Sequence, residues 1–142
     1  MRLWHKDLIR LLPDMQLKGQ WRECVLIAND LREKGNTNHL LINILGEYPY
    51  NDFATYCWYV CEEMNNRGFA VTIASQQKVF YKHYQFQGEI FNGWHNNEYL
   101  RVCMSNLFEK YKFGRGKSRI TETEWQRLLD GYKYITGEDY KI

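Results

Sequence analysis

The sequence has no apolar run that approaches the roughly 20 residues needed to cross a bilayer. The polar residues Arg2, His5, Lys6 and Asp7 interrupt the N-terminal segment in which a signal peptide would lie. Proline is scarce, with two residues in 142, and no low-complexity tract marks a linker. These absences exclude a secreted or transmembrane protein and predict one soluble, intracellular domain over residues 1–142.

Cysteine occurs four times, but without the spacing of a zinc site. Cys57 and Cys61 are four residues apart, and no second Cys or His pair completes a zinc-finger pattern. These two residues, Cys24 and Cys103 all lie in segments with helical periodicity. We therefore expect buried, reduced thiols and no bound metal.

A large excess of either charge is also absent, because the net charge is only +2. The cations are nevertheless unevenly distributed: residues 1–22 hold five against two acids, and residues 110–119 hold five with no acid. Two basic patches on a nearly neutral protein favour local phosphate binding that weakens with salt. Lys112, Arg115 and Lys117 are the candidate phosphate contacts of the second patch, for which a solvated loop is the alternative interpretation.

Apolar residues three to four positions apart predict an all-α fold, a compact single-domain helical bundle. Segment 74–95 lacks this spacing and carries six aromatic rings, which predicts one irregular, aromatic-rich excursion. A short helix is predicted from Lys6 to Leu12, and a longer one from Leu17 to a glycine stop near Lys34-Gly35. A third helix is predicted from a cap at Asn51 or Asp52 to Gly68. A fourth begins after Asn96 or Asn97, and the fifth begins with the capping box Thr121-x-x-Glu124.

The first long predicted helix carries an arginine and a carboxylate side by side. Successive residues of a helix are about 100° apart, so Arg22 and Glu23 lie on the flanks when Trp21 faces the core. Glu23 is therefore a candidate for a partly buried carboxylate. A surface ion pair of little energy is the alternative.

The N-terminal residues that contain this pair resemble a known family. The matching residues are Met1-Arg2-Leu3-Trp4-His5, Asp7-Leu8-Ile9, Leu12-Pro13, Gln16-Leu17, Gly19-Gln20, Arg22-Glu23-Cys24, Tyr48-Pro49-Tyr50, Glu62-Glu63-Met64 and Arg67-Gly68-Phe69. They are similar to the pyrimidine-dimer DNA glycosylase family, also called the phage endonuclease V family, in the branch that begins Met-Arg-Leu-Trp-His. A weaker similarity links Tyr132-Lys133-Tyr134 to the aromatic-lysine tail that touches DNA in the phage enzymes.

This resemblance implies a helical DNA repair glycosylase that needs no metal or organic cofactor. Such enzymes cut the glycosidic bond of a pyrimidine dimer and then nick the strand by β-elimination. Their nucleophile is the N-terminal α-amine, here that of Met1, and the resemblance makes Glu23 catalytic. An α-amine has a reference pKa near 8, so a usable fraction is neutral at pH 7. A carboxylate beside C1′ stabilises the positive charge that builds on the sugar.

Two departures from the phage enzymes leave alternatives for the nucleophile. Those enzymes lose their methionine and use a small second residue, whereas position 2 here is arginine. The amine of a retained Met1 is then the candidate, with Lys6 as a substitute. Leu26 also stands where the phage enzymes place a basic residue.

The implied partner is damaged double-stranded DNA, bound by a monomer without membrane contact. The implied location is the cytoplasm of a bacterial or phage-infected cell, near the nucleoid. Two other functions remain open: a non-catalytic module that binds double-stranded DNA, and a helical protein whose partner is another protein. The candidate DNA contacts are Arg2, His5, Gln16, Lys18, Arg22, Lys112, Arg115, Lys117, Tyr132 and Lys133.

Overall fold

The computed structural model describes residues 2–33, 40–81 and 84–142. Over these residues the secondary structure consists of α-helices and short 3-10 helices, without a β-strand, which confirms the all-α prediction. The 3-10 helices are Lys6–Leu11 and Gly116–Ser118. The α-helices are α1 (Asp14–Glu33), α2 (Leu40–Leu45), α3 (Tyr50–Asn66), α4 (Ile73–Val79), α5 (Asn97–Phe113) and α6 (Glu122–Thr136).

The chain divides into two compact units. The first contains Arg2, Leu3 and the described part of Lys18–Asn92, and the second contains Trp4–Leu17 and Gly93–Ile142. Helix α1 supplies its first turn to the second unit and its remainder to the first. A single domain over residues 1–142 stays a prediction.

Helix α1 begins at Asp14, three residues before the predicted start at Leu17. Proline has no N–H, so it suits the entry of a helix, and the carbonyl of Pro13 accepts a bond from Leu17 N at 3.0 Å. The predicted apolar face is correct, since Leu17, Trp21 and Cys24 are buried. The predicted glycine stop near Lys34-Gly35 lies outside the described residues.

Helix α3 starts differently from the prediction. Its N-cap is Pro49, which makes no side-chain cap bond, so the predicted cap at Asn51 or Asp52 is wrong. Asp52 is buried and its Oδ2 atom instead accepts a bond from Phe91 N at 3.1 Å. Asn51 is also used elsewhere, because its Oδ1 accepts from Gln85 N at 3.2 Å. The predicted stop is confirmed, with Gly68 at a φ of +81°.

The prediction of an irregular excursion over 74–95 is wrong for its first part. Helix α4 begins at Ile73, where the Oγ1 atom of the N-cap Thr72 accepts from Ser75 N at 3.1 Å. A helix this short shows too little periodicity to be detected in sequence. Residues 84–95 contain no helix, as predicted. The six-residue helix α2 was not predicted either.

The second unit contains α5 and α6, whose predicted caps are confirmed. Asn96 accepts from Tyr99 N at 2.9 Å, and both bonds of the Thr121–Glu124 capping box are present. Helix α6 approaches the first 3-10 helix at Gly131, where an added Cβ would overlap the side chain of Leu11. The buried residues of the two helices include Leu100, Cys103, Met104, Leu107, Trp125, Leu128 and Tyr132.

The four cysteines are free and buried, which confirms the prediction of buried thiols. Burial raises the pKa of the Cys57 thiol well above its usual value. In the part of the chain that the structure describes, no helix has both the length and the apolar character that membrane crossing requires.

Candidate active site on helix α1

A buried glutamine on α1 holds the N-terminal segment of the chain. Gln20 is 2% exposed, and its Nε2 atom donates to the backbone carbonyl of Arg2 at 2.9 Å. The hydroxyl of Tyr56, on α3, donates to the Oε1 atom of Gln20 at 3.0 Å. The amide of Gln20 therefore links the start of the chain to both long helices of the first unit.

Glu23 lies three residues further along α1. Residues three apart share a helix face and differ by about 4.5 Å in height. The side chain is half-buried, and its Oε2 atom accepts no hydrogen bond from the residues that the structure describes. A buried carboxylate oxygen without a donor costs free energy, which a cation or donor brought to it would recover. Glu23 is therefore poised for a positively charged group.

Three of the predicted DNA contacts lie in the same unit as Glu23. Arg2 and Arg22 are exposed, and Lys18 is half-buried. A guanidinium nitrogen of Arg22 lies 3.7 Å from where a Cβ on Gly19 would be. The Lys18 Nζ atom lies 4.2 Å from the ring centroid of Phe69.

His5, a predicted DNA contact, is a buried residue of the second unit. It is 2% exposed, and its Nδ1 atom accepts from Asp7 N at 3.0 Å as the N-cap of the first 3-10 helix. Its ring centroid lies 5.1 Å from that of His95. Burial lowers the pKa of His5. This environment suits a packed, neutral imidazole.

The partner ring His95 is buried as well. Its Nδ1 atom accepts from Lys6 N at 3.0 Å. Burial, with His5 and Lys6 nearby, lowers the pKa of His95 to about 2. The Lys6 Nζ atom, the alternative nucleophile, lies 3.3 Å from Asp7 Oδ1.

Two further predicted contacts of the second unit are buried. Gln16 is 8% exposed and its Nε2 atom donates to the carbonyl of Ser118 at 2.8 Å. Tyr132 is 3% exposed and its ring centroid lies 5.5 Å from that of Tyr140. Its neighbour Lys133 is exposed, with Nζ 3.3 Å from Asp139 Oδ1.

The second basic patch is exposed. Lys112 lies in the last turn of α5, and Arg115 and Lys117 lie at the 3-10 helix that follows. Phe113 between them is 73% exposed. All these side chains are accessible to a polyanion.

The sequence analysis did not assign a functional role to Gln20 or Tyr56. Met1, the predicted nucleophile, lies outside the described residues. The available signal was a glutamine on the same helix face as Glu23, next to the apolar position Trp21. No group of three His, Cys, Asp or Glu side chains within residues 2–33, 40–81 and 84–142 has an arrangement that could hold a metal ion.

The fold and site define an all-helical protein with a half-buried carboxylate on the helix that anchors its N-terminal segment. A family described as pyrimidine dimer DNA glycosylase matches residues 1–77. The match spans more than half of the chain, and the chain belongs to this family. Its class is therefore that of DNA repair glycosylases, which bind DNA as substrate. No curated protein and no solved structure matches the chain.

Proposed function

We propose that the protein is a DNA glycosylase with AP-lyase activity on pyrimidine dimers or abasic sites in double-stranded DNA. The N-terminal amine bonds to C1′ of the deoxyribose as the glycosidic bond to the base breaks or, at an abasic site, as the C1′ oxygen leaves as water. Ring opening gives a Schiff base, and loss of a C2′ proton then expels the 3′ phosphate. Glu23 assists these steps.

The observation that carries this proposal is the environment of Glu23. Its Oε2 atom is buried without a donor among the described residues, on the helix whose Gln20 holds the carbonyl of Arg2. A carboxylate shielded from water acts on nearby positive charge more strongly than an exposed one. The same group can take up the proton that the amine releases, give it to the ring oxygen O4′ as the sugar opens, and then take up the proton from C2′.

The cations divide into two sets that would bind DNA phosphates. Arg2, Lys18 and Arg22 belong to the unit that contains Glu23, and we assign them to the phosphates that flank the lesion. The exposed Lys112, Arg115 and Lys117 bind phosphates elsewhere on the duplex. The buried side chains of His5, Gln16 and Tyr132 suit packing better than direct DNA contact.

Borohydride trapping tests the proposal. Incubation with an abasic-site or dimer-containing duplex and borohydride should give a covalent protein–DNA adduct, together with strand cleavage. Mass mapping of the adduct identifies the amine and separates the chain's α-amine from Lys6. An absence of both adduct and cleavage would reject the proposal, and salt-dependent duplex binding without them would support a non-catalytic DNA-binding module.

Glu23→Gln provides the matched test of the carboxylate. We expect it to lower the trapping rate at saturating DNA by about 100-fold or more, with binding retained. The control is Glu33→Gln, because Arg32-Glu33 repeats the Arg-Glu pair on the same helix and Glu33 is exposed. Equal rates for the two variants would remove Glu23 from the mechanism.

A further inference from the structure

The hydrogen bond between Gln20 and Arg2 joins a side chain of α1 to the backbone of the N-terminal segment. We propose that Gln20, oriented by Tyr56, is a positioning residue that holds the α-amine beside Glu23. This inference rests on the proposed function, in which that amine is the nucleophile. Gln20 touches neither the sugar nor the base and acts only through the chain segment that it binds.

An amide has one donor end and one acceptor end, so its orientation determines what it can hold. The hydroxyl of Tyr56 donates to Oε1 of Gln20 at 3.0 Å, which directs Nε2 at the carbonyl of Arg2. Rotation of the amide by half a turn would place Oε1 against that carbonyl and lose the bond to it, although Nε2 could then donate to the hydroxyl oxygen of Tyr56. The orientation in which Tyr56 donates is therefore the one that anchors the segment.

Tyr56 is itself held firmly. It is fully buried, and its ring centroid lies 5.8 Å from that of Phe91. The backbone N–H of Phe91 is in turn bound by the buried carboxylate of Asp52. A hydroxyl in such surroundings keeps its place, so the orientation of the Gln20 amide is preorganised before DNA binds.

The anchor limits how far the amine can move. A residue spans at most about 3.6 Å, so the amine of residue 1 stays within about 7 Å of the anchored Arg2 carbonyl. Glu23 lies on the same helix face as Gln20, about 4.5 Å along the axis. Without the bond the chain end would sample a much larger volume, and a reacting group out of place by about 1 Å can lose 100-fold in rate.

Two variants and one control test this role in single-turnover trapping. Gln20→Glu keeps the size but replaces the donor with a carboxylate oxygen that repels the carbonyl of Arg2. We expect a trapping rate about 10- to 100-fold lower at saturating DNA, with Kd changed by less than about threefold. Tyr56→Phe removes only the hydroxyl that orients the amide, and should lower the rate about three- to tenfold.

The control is Gln76→Glu, the same change at a glutamine of the first unit whose Nε2 donates to the carbonyl of Val71 at 3.2 Å. It should trap at the wild-type rate. Thermal melting of each variant establishes that it is folded, and Tyr56→Phe keeps the test open if Gln20→Glu does not fold. Wild-type trapping rates in folded Gln20→Glu or Tyr56→Phe would overturn the positioning role while leaving the proposed function intact.

A second measurement needs neither DNA nor catalysis. Near neutral pH an acylating reagent labels α-amines faster than lysines, because their pKa is lower. Loss of the anchor should raise the labelling rate of the N-terminal amine severalfold in Gln20→Glu and leave it unchanged in Gln76→Glu. Unchanged labelling in Gln20→Glu would overturn the positioning role. If the wild-type protein forms no adduct, the proposed function fails, and this measurement alone decides whether Gln20 holds the segment.

Discussion

The part of the chain inside the family match, residues 1–77, differs in construction from the part beyond it. Of the six buried polar or charged side chains in the described residues, five lie within the match and only His95 lies beyond it. Helix α3, inside, has no side-chain cap bond, but α4 also begins inside and is capped by Thr72, as α5 and α6, outside, are capped by Asn96 and Thr121. Buried polar groups cost stability unless they are paired, and each of these five binds a backbone group, so the matched region depends more on hydrogen bonds inside the fold.

The two long helices beyond the match, α5 and α6, follow local rules of helix formation. Each combines a polar cap with an apolar buried face, and the basic patch between them lies on the surface. We infer that residues 78–142 contribute stability and DNA affinity, and that residues 1–77 contribute chemistry. The following predictions test that division.

The largest expected effect is on DNA affinity. Replacing Lys112, Arg115 and Lys117 together by alanine should weaken duplex binding by up to about 100-fold. The slope of log Kd against the logarithm of the salt concentration should decrease by about three, because three phosphate contacts are lost. The trapping rate at saturating DNA should stay within about twofold, because we assign the chemistry to residues 1–77. Fluorescence anisotropy between about 50 and 200 mM salt measures the affinity.

A charge-preserving variant, Lys112→Arg with Lys117→Arg, is the control for that experiment. It should keep the wild-type affinity because the phosphates respond to charge. A triple alanine variant that lost trapping at saturating DNA would break the division, since chemistry would then depend on the region beyond the match.

The second prediction concerns acid stability. The pKa of His95 is lowered to about 2 from the ordinary 6.5, so below pH 6.5 the unfolded chain binds a proton that the folded protein does not. The free energy of unfolding therefore decreases as the pH is lowered through the window between these values. For this residue the loss is about 2 kcal/mol between pH 6.5 and about pH 4.5. Burial lowers the pKa of His5 as well, which adds a loss of the same sign.

Urea unfolding across this range, compared with His95→Gln, checks the effect. The variant keeps an acceptor for the N–H of Lys6 but does not titrate, so its stability should depend less steeply on pH. Identical slopes for the two proteins would contradict the assignment. His5 lies inside the family match and His95 lies outside it. The acid sensitivity of this pair therefore depends on a contact between the two regions that are compared.

The third prediction compares two side chains that bind backbone N–H groups. Asp52→Ala should cost about 2 kcal/mol of unfolding free energy, because it leaves the buried N–H of Phe91 without its charged acceptor. Thr121→Ala, which removes a cap at the exposed start of α6, should cost about 1 kcal/mol. Denaturant unfolding measures both, and a larger loss for Thr121→Ala would reverse the expected order.

The smallest effect is expected at Gly19. Glycine inside a helix destabilises it by roughly 0.5–1 kcal/mol relative to alanine, and among the described residues an added Cβ would meet only the Arg22 guanidinium, at 3.7 Å. Gly19→Ala should therefore stabilise the protein by about that amount. If the bare helix surface one turn before Glu23 accommodates the deoxyribose, trapping should be slower in the same variant. A stabilised variant with full activity would show that the substrate does not bind against Gly19.

The sequence allowed accurate prediction where structure depends on neighbouring residues. The capping box at Thr121, the cap at Asn96 and the stop at Gly68 are local signals, and all three are present in the structure. The all-α class followed from the same periodicity. Short helices such as α2 and α4 carry too few residues for that signal.

Prediction failed where a residue has a distant partner. Asp52 has the sequence position of a helix cap, but its carboxylate binds Phe91, 39 residues away. Phe91 has a φ of +55°, which non-glycine residues rarely adopt, and nothing local in the sequence indicates it. The role of Gln20 depends on Arg2 and Tyr56, which are 18 and 36 residues distant. Glu23 was a candidate from sequence because it lies within the segment that resembles the family.

The anchor of the N-terminal segment has an evolutionary consequence. Gln20 binds the main-chain carbonyl of Arg2, a group that every amino acid possesses. The anchoring bond therefore does not depend on which side chain the second residue carries. The second residue can therefore differ between relatives without a compensating substitution at Gln20 in helix α1.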